Sequence, residues 1–238
     1  MIEIFDAYEL RARIAPAVIV ISPLIFSSVV FISSISPNLL SSTIAGIGSL
    51  ALIYALSLII RHLGKSKEQV LWSSWGGAPS IQMLRPNNST FSDDIKRTIT
   101  KAVKQRFSID IEGTAEESGE NLDQRIEDAF RLVRQRVQQL DPSGLWYKHN
   151  AEYGFLRNLY ASCWIWILNS ILVCIVGGVT YYINSNFLYI VISVSGAMFA
   201  VIALVLYKYL LLRPLRTAAE RYAESTWISF LHLENVKV

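Results

Sequence analysis

The chain has 238 residues, of which 52% are hydrophobic and only 17% are charged, and its formal net charge is +3. Soluble domains carry roughly 25% charged residues, so the composition argues against an ordinary soluble domain. Two runs, residues 14–60 and 158–207, contain no Asp, Glu, Lys, Arg or His over 47 and 50 positions. A soluble core rarely excludes charge for so long.

Each uncharged run is long enough for two membrane spans and a turn, because one span needs about 20 apolar residues. Pro37 and Asn38 mark a turn in the first run, and Asn184 and Asn186 mark one in the second. We therefore predict four spans at about 15–35, 39–60, 160–182 and 187–210. A buried soluble bundle is the alternative, but the spans lack the polar face that such helices show.

The charged residues predict the orientation of these spans. All 22 Lys and Arg lie outside the two uncharged runs. The positive-inside rule then places both termini and the central segment in the cytoplasm. Acidic residues crowd the segment before span 1, so we expect an uncleaved anchor and no signal peptide.

The predicted fold class is an all-α membrane protein, with four transmembrane helices in two hairpins and a small, mainly helical cytoplasmic domain inserted between them. The predicted divisions are a juxtamembrane N-terminal helix (1–13), transmembrane hairpin 1 (14–60), a cytoplasmic sensor domain (61–157), transmembrane hairpin 2 (158–212) and a cytoplasmic C-terminal helix (213–238).

Apolar residues at helical spacing occur in the inserted domain and in the C-terminal segment. Ser92 is predicted to cap a helix that ends near Phe107 and has Ile95, Ile99 and Val103 on its apolar stripe. A second helix, at about 121–140, has apolar residues at alternating steps of four and three. This spacing suits packing against another helix or a self-association seam. In the C-terminal helix, Leu215, Ala219, Tyr222, Thr226 and Phe230 share one face.

The stretch "LWSSWGGAPSIQMLR" (71–85) follows the second predicted span. Trp72 and Trp75 are three residues apart and fall on one helical face, and Gly76 and Gly77 are expected to end their helix. One interpretation is an interfacial aromatic belt or part of the domain core. The other is a ligand pocket, with the tryptophans as stacking platforms and Arg85 as an anion contact.

A second aromatic and basic stretch, "GLWYKHNAEYGFLRN" (144–158), precedes the third span. It brings Lys148, His149 and Arg157 close together in sequence, and we include them with Trp72, Trp75 and Arg85 in a candidate ligand-binding surface. His149 and Glu152 suggest acid–base chemistry, but no nucleophile motif, phosphate loop or metal-ligand set accompanies them. We therefore predict no enzyme, no metal and no cofactor.

Polar residues inside the spans are few. Ser22, Ser33 and Asn169 are the candidate pore-lining residues of an oligomer. Because the spans hold no acidic residue and basic residues flank them, such a pore would favour anions. The alternative is that the serines bond their own helix backbone. Cys163 and Cys174 lie 11 residues apart in one predicted span, so they are expected to pack rather than to form a disulfide.

The stretches "DAYELRAR", "LWSSWGGAPSIQMLR" and "EYGFLRNLY", arranged around two hydrophobic hairpins, resemble the small bacterial membrane effectors of two-gene anti-phage systems. In these systems, of which the Hailong type is the most similar, the partner is a nucleotidyltransferase. The resemblance covers most of the chain but contains no diagnostic catalytic signature.

The resemblance implies an oligomeric ion channel, for which we expect a tetramer. A nucleotide or DNA oligomer made by a nucleotidyltransferase encoded nearby would bind the cytoplasmic domains and hold the channel shut until infection releases it. The alternative from the residues alone is a non-channel membrane scaffold or accessory subunit that docks a cytoplasmic partner protein.

Overall fold

The described part of the chain is almost entirely helical. The computed structural model describes residues 7–35, 39–112, 119–141 and 144–235, although the side chains of residues 7, 32–35, 39–49, 119, 120 and 235 lie outside that description. Within these ranges there are helices and turns but no strand. The predicted all-α class is confirmed for this part of the chain.

The helices follow one another with short connections. In chain order they are α1 (Ala7–Glu9), α2 (Ala15–Ile35), α3 (Leu39–Ser74), α4 (Pro79–Gln82), α5 (Asp93–Phe107), α6 (Gly119–Leu140), α7 (Leu145–Asn184), α8 (Phe187–Val205) and α9 (Leu212–Asn235). Two π-helical turns, Leu10–Ile14 and Leu206–Leu210, adjoin α2 and α8. Of the predicted N-terminal helix 1–13, residues 1–6 lie outside the described ranges.

The chain divides into two compact units. Unit 1 takes Met1–Glu68 and Gly154–Leu215, and unit 2 takes Gln69–Tyr153 and Arg216–Val238. The divisions fall inside α3, α7 and α9. The sequence-based divisions lie a few residues away, because they follow the first charged residue of each stretch rather than the packing.

In the described part of the chain, three helical segments are long and apolar enough to cross a bilayer: Leu10–Phe31, Leu145–Asn184 and Phe187–Leu210. They indicate a membrane protein. The first overlaps most of predicted span 1, the second contains span 3 and the third coincides with span 4. The predicted second span, 39–60, is helical as part of α3, but its first eleven side chains lie outside the description, so it stays a prediction.

Two helices are longer than the spans predicted within them. α3 has 36 residues and α7 has 40. Charged residues limit the predicted spans at Arg61 and Arg157, but charge does not end a helix, and neither helix contains a proline. The stretches around Trp72 and Trp146 therefore belong to the same helices as predicted spans 2 and 3.

α7 and α8 approach each other closely at two glycines. A Cβ built on Gly196 would lie 2.5 Å from the backbone nitrogen of Cys174 and 2.8 Å from the carbonyl oxygen of Ser170. A Cβ on Gly177 would lie 2.6 Å from the backbone nitrogen of Ser193. The Ser193 hydroxyl donates a hydrogen bond of 2.8 Å to the Cys174 carbonyl. Small residues at a helix crossing permit this backbone approach, so they fix the α7–α8 hairpin.

Aromatic side chains lie near both ends of predicted spans 3 and 4. Tyr160 stacks on Tyr207 with ring centroids 5.0 Å apart, and Trp164 contacts Tyr207 edge-on. At the other end, Tyr182 is 88% exposed. The rise from Trp164 to Tyr182 along α7, and from Tyr189 to Tyr207 along α8, is about 27 Å at 1.5 Å per residue. The hydrocarbon core of a bilayer is about 30 Å thick, with tyrosine and tryptophan favoured at its two surfaces.

Unit 2 packs α5, α6 and α9 around a common core. Ser92 caps α5, as predicted, by accepting a hydrogen bond of 3.4 Å from the Ile95 backbone nitrogen. The stripe of α6 is buried except at its end, where Leu140 is 45% exposed. The predicted face of α9 is also buried, and its part in unit 2 runs from Ala219 to Phe230. Within unit 2 these faces cover one another, so the stripe of α6 serves packing against other helices rather than a self-association seam.

Candidate functional site

The two tryptophans of the 71–85 stretch lie on either side of a helix end. α3 ends at Ser74, and Gly76 and Gly77 follow with φ angles of +87° and +124°, in the left-handed region that favours glycine. Both tryptophans are half-buried. The indole Nε1 of Trp72 is buried and has no hydrogen-bond partner among the described groups, whereas Trp75 faces an open groove.

The turn between α3 and α4 is held from inside unit 2. The side-chain amide of Gln82 donates to the carbonyl oxygens of Trp75, at 3.0 Å, and Gly77. Pro79 occupies the first position of α4, where a proline costs no backbone hydrogen bond. The chain thus turns sharply after Trp75 and presents its indole next to α4.

Arg85, predicted as an anion contact, already has an anionic partner. Its Nε donates to Asp123 Oδ1 at 3.0 Å, its Nη2 donates to Asp123 Oδ2, and its Nη1 donates to the Gly76 carbonyl at 2.7 Å. The hydrogen bond to Asp123 raises the pKa of the guanidinium above its ordinary value, against the effect of burial. Arg85 therefore connects the α3–α4 turn to α6, and a bound anion would have to displace Asp123.

Lys96 holds the segment that follows Arg85. Its side chain is buried in α5, and its ammonium donates to the carbonyl oxygens of Arg85, Pro86 and Asn88 at 3.0, 3.3 and 2.5 Å. These three bonds use all three protons of the ammonium. The segment 85–88 is therefore fixed by a lysine that the sequence analysis placed on no functional surface.

His149 and Glu152, the candidates for acid–base chemistry, each contact Arg221 of α9. His149 Nδ1 lies 3.2 Å from the Arg221 carbonyl oxygen, and since a carbonyl can only accept, Nδ1 carries a proton. The Glu152 carboxylate lies 4.0 Å from the Arg221 guanidinium. Lys148, one residue earlier, is exposed. All of these residues belong to unit 2.

Arg157 belongs to unit 1, apart from the other five candidate ligand-binding residues. It is 8% exposed, and its Nη1 donates to Glu68 Oε1 at 2.8 Å. The neighbouring Asn158 is 1% exposed and donates to the carbonyl oxygen of Ala12 at 2.6 Å. Arg157 is thus part of a buried polar network at one end of unit 1.

The candidate pore-lining residues lie in α2 and α7. The Ser22 hydroxyl donates to the Ile19 carbonyl of its own helix at 2.7 Å. The Asn169 amide donates to the Val20 carbonyl at 3.5 Å. Ser33 lies in α2, but its side chain is outside the described residues. Within one chain, then, the Ser22 hydroxyl and the Asn169 amide each have a backbone acceptor.

An open groove in unit 2 collects several polar groups around Trp75. Its volume is about 360 Å³. It is lined by Trp75, Pro79, Gln82, Met83, Asn88, Thr90, Arg216, Thr217, Glu220, Arg221 and Glu224. Of the predicted surface only Trp75 lies in it. The residues from α9 were missed, although Arg216 and Glu220, four residues apart and paired at 3.0 Å, mark this face of the helix.

The formal charges of the groove balance. Arg216 pairs with Glu220 within α9, while Arg221 contacts Glu152. Glu224 adds a second carboxylate to the lining. The groove therefore offers an indole face, two guanidinium groups and two carboxylates, which suits a ligand with polar and aromatic parts better than one recognised by negative charge alone. No group of three or more His, Cys, Asp or Glu able to hold a metal ion occurs in the described ranges.

Comparison with known proteins adds no relative. No protein-family model, curated protein or solved structure matches the chain.

Proposed function

We propose that this chain is the subunit of an oligomeric, four-span ion channel of a bacterial inner membrane, gated by a nucleotide or DNA oligomer that binds its cytoplasmic domain. The segments before span 1 and after span 4 lie in the cytoplasm. The proposed role is anti-phage defence, with a nucleotidyltransferase as the source of the ligand. The defence role, the ligand and the partner follow from the resemblance to Hailong-type effectors.

The observation that carries the proposal is the outward apolar surface of the spans. Large hydrophobic side chains of α7, such as Leu168 at 64% and Ile175 at 56%, and of α8, such as Val194 at 62% and Val201 at 60%, are exposed in the single chain. Soluble proteins rarely expose contiguous apolar surface of this kind. Lipid or neighbouring subunits would cover it.

The groove in unit 2 supports the binding of a ligand. Trp75 offers a stacking surface for a base, and base stacking on an aromatic side chain contributes about 1–3 kcal/mol per base. Arg216 and Arg221 lie in the same lining and would contact phosphate groups after exchanging their carboxylate partners. This groove replaces the predicted set of Arg85, Lys148, His149 and Arg157 as the surface to test first.

Planar-bilayer recording of the purified chain tests the proposal. We expect current that single-stranded oligodeoxynucleotides suppress, with a reversal potential that shifts toward the anion equilibrium potential in a salt gradient. Trp75→Ala combined with Arg216→Ala should abolish the suppression but keep the current. The matched control is Arg97→Ala combined with Arg134→Ala, which removes two exposed cations of unit 2 outside the groove.

The second candidate is a scaffold or accessory subunit. The pairing of Arg85 with Asp123 and of Arg157 with Glu68 favours it, because these guanidinium groups are not free to bind a polyanion. Correctly inserted protein that conducts no current with or without oligonucleotide would support the scaffold and contradict the channel.

A further inference from the structure

One end of unit 1 carries a group of cations that have no acidic partner in the described ranges. Unit 1 contains two described acidic residues, Glu9 and Glu68. Glu9 pairs with Arg13 and Glu68 pairs with Arg157. Six other cations of this unit form no ion pair with a described residue, and we call them the basic collar: Arg11, Arg61, Lys65, Lys67, Lys208 and Arg213.

Several collar residues lie at one level of unit 1. The carbonyl of Ala12 accepts a hydrogen bond from Asn158, and Gly64 lies against the same asparagine side chain. Arg11 and Lys65 directly adjoin Ala12 and Gly64. Asn158 is two residues, or about 3 Å of helix rise, from Tyr160 in α7.

The stack of Tyr160 on Tyr207 brings Lys208 to the same level. The Lys208 ammonium lies 5.3 Å from the centre of the Tyr209 ring, and the Tyr209 side chain is 65% exposed. Trp164, 52% exposed, contacts Tyr207 from the apolar side. The cations therefore lie next to the aromatic side chains that border the exposed apolar surface of the spans.

We propose that the basic collar binds the headgroups of anionic phospholipids at this bilayer surface. Lysine side chains extend their apolar stems along the hydrocarbon and place the ammonium among the headgroups. Basic residues next to a span gain attraction from anionic lipid, which decays within a Debye length. A lipid is favoured over a nucleic acid because the cations adjoin the exposed apolar surface, which only an amphipathic ligand can also contact.

This inference needs unit 1 to lie in a membrane, but it does not need a channel, a ligand for unit 2 or a particular orientation. A protein without conductance would leave it intact. A chain that is gated normally but shows no preference for anionic lipid would contradict only the lipid proposal. The two proposals can therefore fail separately.

Quenching of Trp164 fluorescence by brominated lipids measures the preference directly. The chain is reconstituted in vesicles that mix phosphatidylcholine with phosphatidylglycerol, with bromine on the acyl chains of one lipid at a time. Trp164→Phe identifies the contribution of Trp164 among the six tryptophans. We expect phosphatidylglycerol to be enriched beside Trp164, by about threefold or more over phosphatidylcholine, given the attraction expected for each cation.

The collar variant combines Lys65→Gln, Lys67→Gln and Lys208→Gln, and the control combines Arg97→Gln, Lys101→Gln and Arg134→Gln in unit 2. Both remove three charges. The enrichment should fall clearly toward one in the collar variant, which keeps Arg11, Arg61 and Arg213, and persist in the control. Equal enrichment in parent and collar variant, or equal loss in both variants, would overturn the proposal.

Two further arms use the unaltered chain, so the proposal stays testable if the collar variant does not fold. Raising the salt from 50 to 500 mM should reduce the enrichment, because added salt screens exposed charges. A ten-nucleotide oligodeoxythymidylate added outside the lipid should leave it unchanged. Enrichment that ignores salt, or that the oligonucleotide abolishes, would show that the collar serves another purpose or takes nucleic acid.

Discussion

The guanidinium of Arg157 donates to the carboxylate of Glu68 over 2.8 Å inside unit 1. The two side chains are only 10% and 18% exposed. The pair joins α7 to α3, and Asn158 beside it joins α7 to the carbonyl of Ala12. Three chain segments that are distant in sequence therefore meet at one buried polar network.

Removing one partner of this pair should be costly. Glu68→Ala leaves the Arg157 charge buried without its carboxylate, and breaking a buried ion pair costs about 3–5 kcal/mol. We expect a clear fall in the melting temperature of the detergent-solubilised chain, measured by circular dichroism at 222 nm. Replacing both residues, as Glu68→Met with Arg157→Met, should recover part of the loss because no lone charge remains.

The control for the Glu68 experiment is a pair on the surface of unit 2. Arg131 lies 3.8 Å from Glu127 and 3.7 Å from Asp128, and its side chain is 65% exposed. Arg131→Ala should change the stability by less than about 1 kcal/mol, as is usual for exposed pairs. A melting temperature of Glu68→Ala equal to that of Arg131→Ala would contradict the structural role of the buried pair.

Arg85 offers a second test, because the sequence and the structure predict different results. As the partner of Asp123 and Gly76, Arg85 should stabilise unit 2, and Arg85→Ala should cost about 1–2 kcal/mol after allowance for solvent screening. Arg85→Lys should recover little of it, since an ammonium cannot replace the two-pronged contact with a carboxylate. A variant that melts normally but binds oligonucleotide less tightly would instead support the predicted anion contact.

The ion pair between Lys104 and Asp110 gives a pH-dependent prediction. The hydrogen bond from Lys104, at 2.5 Å, together with a bond from the Glu112 backbone, holds the pKa of the Asp110 carboxyl below its ordinary value of 3.8. The contact stabilises the ionised carboxylate. Its contribution to the free energy of unfolding is therefore present above pH 3.8 and is lost as the pH falls through the lowered pKa. A carbon-13 titration of labelled aspartate in the intact chain should show the pKa rising in Lys104→Gln. If the titration of Asp110 is unchanged in Lys104→Gln, the contact with Lys104 is not the cause of the lowered pKa.

Local features of the fold could be predicted from the sequence, whereas contacts between distant segments could not. The start of α5 follows from Ser92, whose side chain is itself the cap. α2 ends at Ile35, the predicted end of span 1, shortly before the helix-breaking Pro37. The partner of Arg85 is 38 residues away, and the partner of Arg157 is 89 residues away. No local pattern distinguishes a buried, paired arginine from a free one.

The groove was only partly predicted for the same reason. Trp75 was predicted from the residues around it in sequence, but the charged residues that line the groove come from α9, over 140 residues later in the chain. The amphipathic pattern of α9 correctly predicts its buried face, from Leu215 to Phe230. It does not say which unit-2 segment its polar face adjoins, because that depends on packing between helices.

Gly177 and Gly178 are adjacent in α7, so an alanine substitution at one is the control for the same substitution at the other. A Cβ on Gly177 would lie 2.6 Å from the Ser193 backbone nitrogen, whereas one on Gly178 would meet only the Ser193 hydroxyl at 3.5 Å. Gly177→Ala must push α8 away, and overpacking of this kind costs about 1–3 kcal/mol. Gly178→Ala fits and should be neutral or slightly stabilising, because alanine favours a helix over glycine by about 1 kcal/mol. Melting of the two variants in one detergent should separate them, and equal stabilities would show that α7 and α8 do not cross closely at Gly177.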